Sequence, residues 1–166
     1  MRGILEPTEQ MANLVDSTLA DLKLTKQRYT VIHVRSGDKY LKGGAGATDT
    51  FNAQYIQHLT KEIFILIKNN LGSTPISNYL VLSDNPEIKR IIGQAFPSIK
   101  MLFNKITHFG SGVIQEDLQV RNTMVEFNLM SFSSAIFSFS CYEHGSGFSQ
   151  WCAKTYDVPY VCKLIT

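Results

Sequence analysis

The chain has 166 residues and a mass of 18.7 kDa, the size of one domain that hides about two-thirds of its unfolded surface. With 44% hydrophobic and 18% charged residues it is neither disordered, collagen-like nor coiled-coil. Sixteen basic and fourteen acidic side chains leave a formal charge of +2, which gives no electrostatic case for a dedicated nucleic-acid or membrane-surface partner. Cys141, Cys152 and Cys162 are too few and too dispersed for a disulfide scaffold or a zinc site and are expected to be buried thiols. The first ten residues lack the charged-then-apolar pattern of a signal peptide, and no apolar run approaches the ~20 residues that span a bilayer. As written, the chain reads as cytoplasmic; as a piece of a longer eukaryotic chain with targeting information upstream, it would fit the Golgi or ER lumen.

In chain order, Met11, Leu14, Val15, Leu19 and Leu22 fall on one helical face, with Pro7 and Thr8 marking the start. Residues 29–35 (YTVIHVR) form a β-branched and aromatic run that predicts a buried strand. A Gly-rich stretch over 39–49 precedes a helix at about 51–71, capped by Asp49 or Thr50, with Ile56, Leu59, Ile63 and Ile67 on one side. Residues 77–83 predict a second strand, and Pro86 opens a helix to about residue 96. A third strand is expected at 99–103, then a loop to about 115. Val120, Met124 and Phe127 mark another helix, and residues 135–140 (AIFSFS) a fourth strand. Gly145 to Gly147 turns into a last helix through about Tyr156, and 158–161 returns as a short final strand. Strands alternating with helices predict a three-layer, doubly wound α/β domain with a parallel sheet, one domain over 1–166 with a leading helix in 1–28. Ligands of such sheets bind outside the carboxyl ends of the strands, here at Arg35, Asp84, Phe103 and Ser140.

Within HVRSGD (33–38), His33 and Arg35 project from the same face of a strand, and Gly37 permits a turn that brings Asp38 back over its end. Arginine offers a fork of donors suited to phosphate, and a histidine one step deeper can hold a base edge or orient that arginine. The structural alternative is a core histidine and an Arg35–Asp38 salt bridge. In residues 140–151 (SCYEHGSGFSQW) a strand passes through Gly-Ser-Gly into a helix, so backbone N–H groups at Ser146, Gly147, Phe148 and Ser149 form a candidate anion site. The alternative there is plain capping by Ser146 with Phe148 and Trp151 in the core. Residues 43–48 (GGAGAT) lack the Lys-Ser or Lys-Thr of a Walker loop and read as a mobile loop or surface insertion. Asp84 and Asn85, beside Pro86, read as helix caps, with Asp84 also a candidate ligand contact; His108, in a loop at the same edge, is another candidate ligand contact, and His58 faces solvent. No carboxylate pair, GxSxG elbow or metal-ligand spacing supports a hydrolase. An arginine at one strand end and an anion site at another suit a diphosphate without a metal, as in nucleotide-sugar chemistry.

The HVRSGD segment resembles the His-x-Arg-x-Gly-Asp motif of the fucosyltransferases that use GDP-fucose, the alpha-1,2, alpha-1,6 and protein O-fucosyltransferase group with the GT-B fold. The run from Glu126 through Ser131 and residues 138–153 look like that family's later motifs, so the resemblance extends over most of the chain from Tyr29 onward. It implies that Arg35 contacts the donor's β-phosphate and assists departure of GDP, and that His33 lines the nucleotide pocket. Asp38 would order the motif loop, and Ser146, Gly147, Phe148 and Ser149 would cradle the diphosphate. Glu126 stands where an aspartate that reads guanine or ribose is expected. The family is inverting and metal-independent, so no cofactor beyond the GDP-fucose donor is implied; the acceptor is a glycan or protein hydroxyl. A GT-B enzyme has two Rossmann-like domains, and this length holds only the donor half, so an N-terminal acceptor domain or a second subunit is the implied partner. A non-catalytic nucleotide-sugar-binding module lacking that half is the alternative. Arg35→Ala is expected to abolish GDP binding at little cost in stability.

Overall fold

A computed structural model describes residues 6–36, 53–70, 74–104, 106 and 116–165. Helix α1 (Glu9–Leu22) begins where Thr8 Oγ1 accepts the Met11 N–H at 3.3 Å, and it closes at Lys23, whose left-handed backbone (φ 56°) turns its N–H onto the carbonyls of Ala20 and Leu19. Val15 and Leu19 are buried, with Met11, Leu14 and Leu22 packed beside them, as the spacing predicts. Strand β1 (Thr30–Arg35) is followed by α2 (Ala53–Asn70), a 3-10 turn (Ile76–Asn78), β2 (Tyr79–Ser83) and α3 (Pro86–Ala95). Then come β3 (Lys100–Met101), α4 (Asp117–Ser131), β4 (Ala135–Ser140), α5 (Gly147–Tyr156) and β5 (Tyr160–Leu164).

All five strands are parallel, in the order β3-β2-β1-β4-β5. The chain first winds outward from β1 through β2 to β3, then returns to add β4 and β5 on the other side of β1. Pleating separates the two faces. Val31, Leu80 and Ile136 stand in register and pack under α1, α4 and α5, with Leu19, Val125, Leu129 and Ala153. Ile32, Val81 and Phe137 face the opposite way, against Leu59, Ile63 and Ile67 of α2 and Ile88 and Ile92 of α3. The result is the three-layer, doubly wound, Rossmann-like fold predicted above. The Tyr29 hydroxyl, at the foot of β1, donates to the Leu129 carbonyl and ties the sheet to α4.

Several local expectations are corrected. The last strand starts at Tyr160 and not Val158, because Val158 still closes α5 through its N–H on the Ala153 carbonyl (3.0 Å) and Pro159 has no N–H to give. The third strand shrinks to two residues, since Ile99 turns back onto the Phe96 carbonyl at 3.0 Å. Helix α4 buries Val125 and Leu129 rather than Val120 and Met124, and it also buries Thr123, Glu126, Asn128 and Ser131, so its apolar stripe is blurred. Trp151 is 70% exposed and not core. Of the three thiols only Cys152 is buried; Cys141 is half-buried and Cys162, on β5, is exposed.

Candidate functional site

In a doubly wound sheet the crevice opens where the winding reverses, between strands whose connections leave in opposite directions. Here that point lies between β1 and β4, whose last paired residues are Arg35 and Ser140; the Cys141 N–H continues the ladder onto the Arg35 carbonyl at 3.3 Å. Two of the sequence motifs end at this place. Arg35 is half-buried, with its Nη1 on Asp84 Oδ2, and its guanidinium lies 6.0 Å from the ring centroid of Tyr142 in the β4–α5 loop. Asp84 Oδ1 also accepts the Ser36 N–H (3.1 Å) and hydroxyl (2.9 Å).

Asp84 is therefore a clamp on the end of β1, not a helix cap. Asn85 caps α3, its Oδ1 taking the N–H groups of Glu87 (2.9 Å) and Ile88 (3.3 Å). The Asp84 side chain is 3% exposed against 21% for Arg35, so replacing Arg35 by alanine leaves a buried carboxylate without its cation. That corrects the expectation that Arg35 contributes little to stability.

The second motif supplies the N-terminus of α5. Ser146 holds the N-cap position but its side chain makes no capping hydrogen bond, which leaves the first-turn N–H groups of Gly147, Phe148 and Ser149 without partners among the described residues. The Ser149 side chain does not join them. It is buried and turned inward, its Oγ 3.1 Å from His33 Nδ1, 3.3 Å from Ser138 Oγ and 3.4 Å from the Tyr160 hydroxyl. The Phe148 ring stands between His33 (6.1 Å between centroids) and Phe127 of α4 (5.3 Å). Any anion here thus meets backbone donors, with the Ser149 and Phe148 side chains forming the wall behind. Gly145, not Gly147, is the glycine the turn demands: its φ is +75° and a Cβ would sit 2.9 Å from Cys162 Sγ, whereas a Cβ on Gly147 would enter open space.

Glu126, on α4, faces Lys89 of α3 and feels the charge of Asp84. It is 2% exposed, its Oε1 has no hydrogen-bond partner, and Lys89 Nζ lies 3.9 Å away and donates to the Leu102 carbonyl at 2.7 Å. Burial pushes the Glu126 carboxyl up to about 7 against the pull of Lys89, with Asp84 adding to the rise. Burial also holds the Lys89 ammonium below its ordinary value, against Glu126 and Asp84, which raise it. Nothing in the sequence marks Lys89: it follows Ile88 on a helix whose apolar spacing is complete without it. Tyr142, Ser138 and Tyr160 escape notice for a similar reason, being ordinary strand and loop residues until pairing brings them beside Arg35 and His33.

His58 is exposed as expected, 3.5 Å from Glu62. Asp38, His108, the 43–48 loop and the Asp49 or Thr50 cap lie outside the described residues. Among the described residues no group of three or more His, Cys, Asp or Glu is placed to hold a metal ion, and no helix is long and apolar enough to cross a membrane. By its sheet order the chain is a Rossmann-like α/β domain whose ligand crevice falls at the β1–β4 reversal. No family model matches it, and no curated protein matches it either.

Proposed function

We propose that the chain is the donor-binding half of a fucosyltransferase-like glycosyltransferase, which binds GDP-fucose and supports inverting, metal-independent transfer to a glycan or protein hydroxyl. The observation that carries this reading is the meeting of the HVRSGD strand and the GSGFSQ helix start at the winding reversal, joined by the 3.1 Å contact of His33 and Ser149. Both resemble motifs of that family, and the contacting pair His33 and Ser149 is 116 positions apart in sequence.

In the transfer, the bond between the anomeric carbon and the β-phosphate oxygen breaks, and negative charge grows on the departing diphosphate. The chain offers two groups fixed in advance for that charge: the Arg35 guanidinium, held by Asp84, and the unfilled N–H groups and dipole of α5. His33 lines the pocket between them. Placing the acceptor hydroxyl in line falls to a second domain or subunit.

Calorimetric titration of the chain with GDP-fucose, GDP and UDP, first without metal and then with magnesium, tests the reading. Metal-independent binding of both guanine ligands, and not of UDP, is expected. Silence from all three ligands overturns it.

A further inference from the structure

The sheet ends in two unlike edges. On one side β3 is two residues long, too short to template another strand. On the other, β5 runs over Tyr160–Leu164 in unbroken parallel register with β4, and no proline interrupts it. The Ile136 N–H donates to the Pro159 carbonyl and the Ile165 N–H to the Ser140 carbonyl, both at 2.8 Å, so by the strand period Val161 and Lys163 also turn their backbone groups inward to β4. Tyr160, Cys162 and Leu164 present theirs outward, where they have no backbone partner among the described residues. Val161, Cys162, Lys163 and Leu164 are all exposed, so neither α2 nor α5 overhangs the strand.

Exposed edges are commonly guarded by a lysine. The one charge on β5, Lys163, is instead engaged with Glu62 of α2, which neutralises that guard. The outward residues are spaced evenly about Cys162, and this makes the edge complementary to itself. A second β5, antiparallel and related by a two-fold axis through Cys162, sets Cys162 opposite its own copy and Tyr160 opposite Leu164, and every outward N–H and C=O of these residues then finds a partner. The same register sets Lys163 opposite the apolar Val161, so the two ammonium groups do not meet. A slip of one residue spends the outward groups on ones already bonded to β4. A slip of two shortens the ladder, and in one direction it sets Lys163 against itself.

We propose that β5 is the contact surface for a second copy of this chain, the two strands pairing antiparallel about Cys162 into one continuous sheet. The pairing does not depend on the donor-site reading, since it draws on the outer edge of β5 and not on the β1–β4 crevice. Sedimentation velocity of the chain from micromolar to millimolar concentration, in the presence of a reductant, tests it. Wild type is expected to pass from monomer to dimer over that range. Cys162→Pro removes an outward N–H and spares the ladder to β4, so this variant is expected to fold and remain monomeric. Val161 is exposed and accepts either charge without loss of core packing. Val161→Lys sets a second ammonium opposite Lys163 of the other copy, and Val161→Glu sets a carboxylate there. The glutamate variant is expected to dimerise about tenfold more tightly than the lysine variant, the effect arising twice in each symmetric pair. A monomer throughout the range, a dimer that Cys162→Pro leaves intact, or equal association of the two Val161 variants overturns the proposal.

Discussion

Replacing Glu126 by glutamine converts its burial into a measurable pH dependence. The carboxyl is 2% exposed with an unpartnered oxygen, and burial raises it from 4.5 in the unfolded chain to about 7 in the fold. Because the folded value is the higher one, the fold binds this proton more tightly than the unfolded chain does. The contribution is fully present below pH 4.5 and is lost as pH climbs through 7. At about 1.4 kcal/mol per pH unit, the loss comes to about 3 kcal/mol. Lys89, deprived of its carboxylate in Glu126→Gln, is pushed lower still, so the variant's stability stays level or rises over the same range, widening the contrast. Urea unfolding at pH 5 and pH 8 is the assay, with the free energies taken from midpoints and slopes. The variant is expected to gain about 3 kcal/mol on wild type between the two pH values. Parallel curves for the two proteins would refute the assigned burial and the cause of the shift.

Arg35→Ala is expected to cost about 2 kcal/mol by stranding the buried Asp84 carboxylate, and Asp84→Asn in that background to recover part of it; strictly additive unfolding energies would show the two side chains uncoupled. Gly145→Ala should lose about 1–2 kcal/mol through its φ of +75°, while Gly147→Ala stays within about 0.5 kcal/mol of wild type; equal thermal shifts in the two variants would contradict the turn geometry. Asn85→Ala removes the cap of α3 and should lower stability by about 1 kcal/mol in denaturant titration, whereas an unchanged midpoint would leave the cap without energetic weight.

The fold was legible because its elements advertise themselves. Val15 and Leu19 of α1, Ile32 and Val34 of β1, and Leu59 and Ile63 of α2 repeat at helical or strand spacing, and Pro86 marks the start of α3. Helix α4 was read in its existence and not in its face, since a helix that buries Glu126 and Asn128 beside Val125 has no clean stripe to read. The site was half legible. Arg35 and the α5 start follow from motif chemistry at strand ends, whereas the pairing of Arg35 with Asp84, 49 residues on, is a product of strand order. Ser149 was expected to face the anion; its helical position turns it instead toward His33 and Ser138, a distinction of one residue in rotation about α5. The Lys89–Glu126 pair and the Tyr160 contact join residues from different helices and strands, for which no local periodicity exists.

The most direct test of the donor-site account is an amide proton–nitrogen NMR titration of the chain with GDP in the absence of metal. The account predicts saturable shifts concentrated at the Gly147, Phe148 and Ser149 amides and at the residues around Arg35, abolished in Arg35→Lys, which keeps the charge near Asp84 but loses the fork of donors. Shifts that cluster elsewhere, or a spectrum unmoved by millimolar GDP, would contradict it.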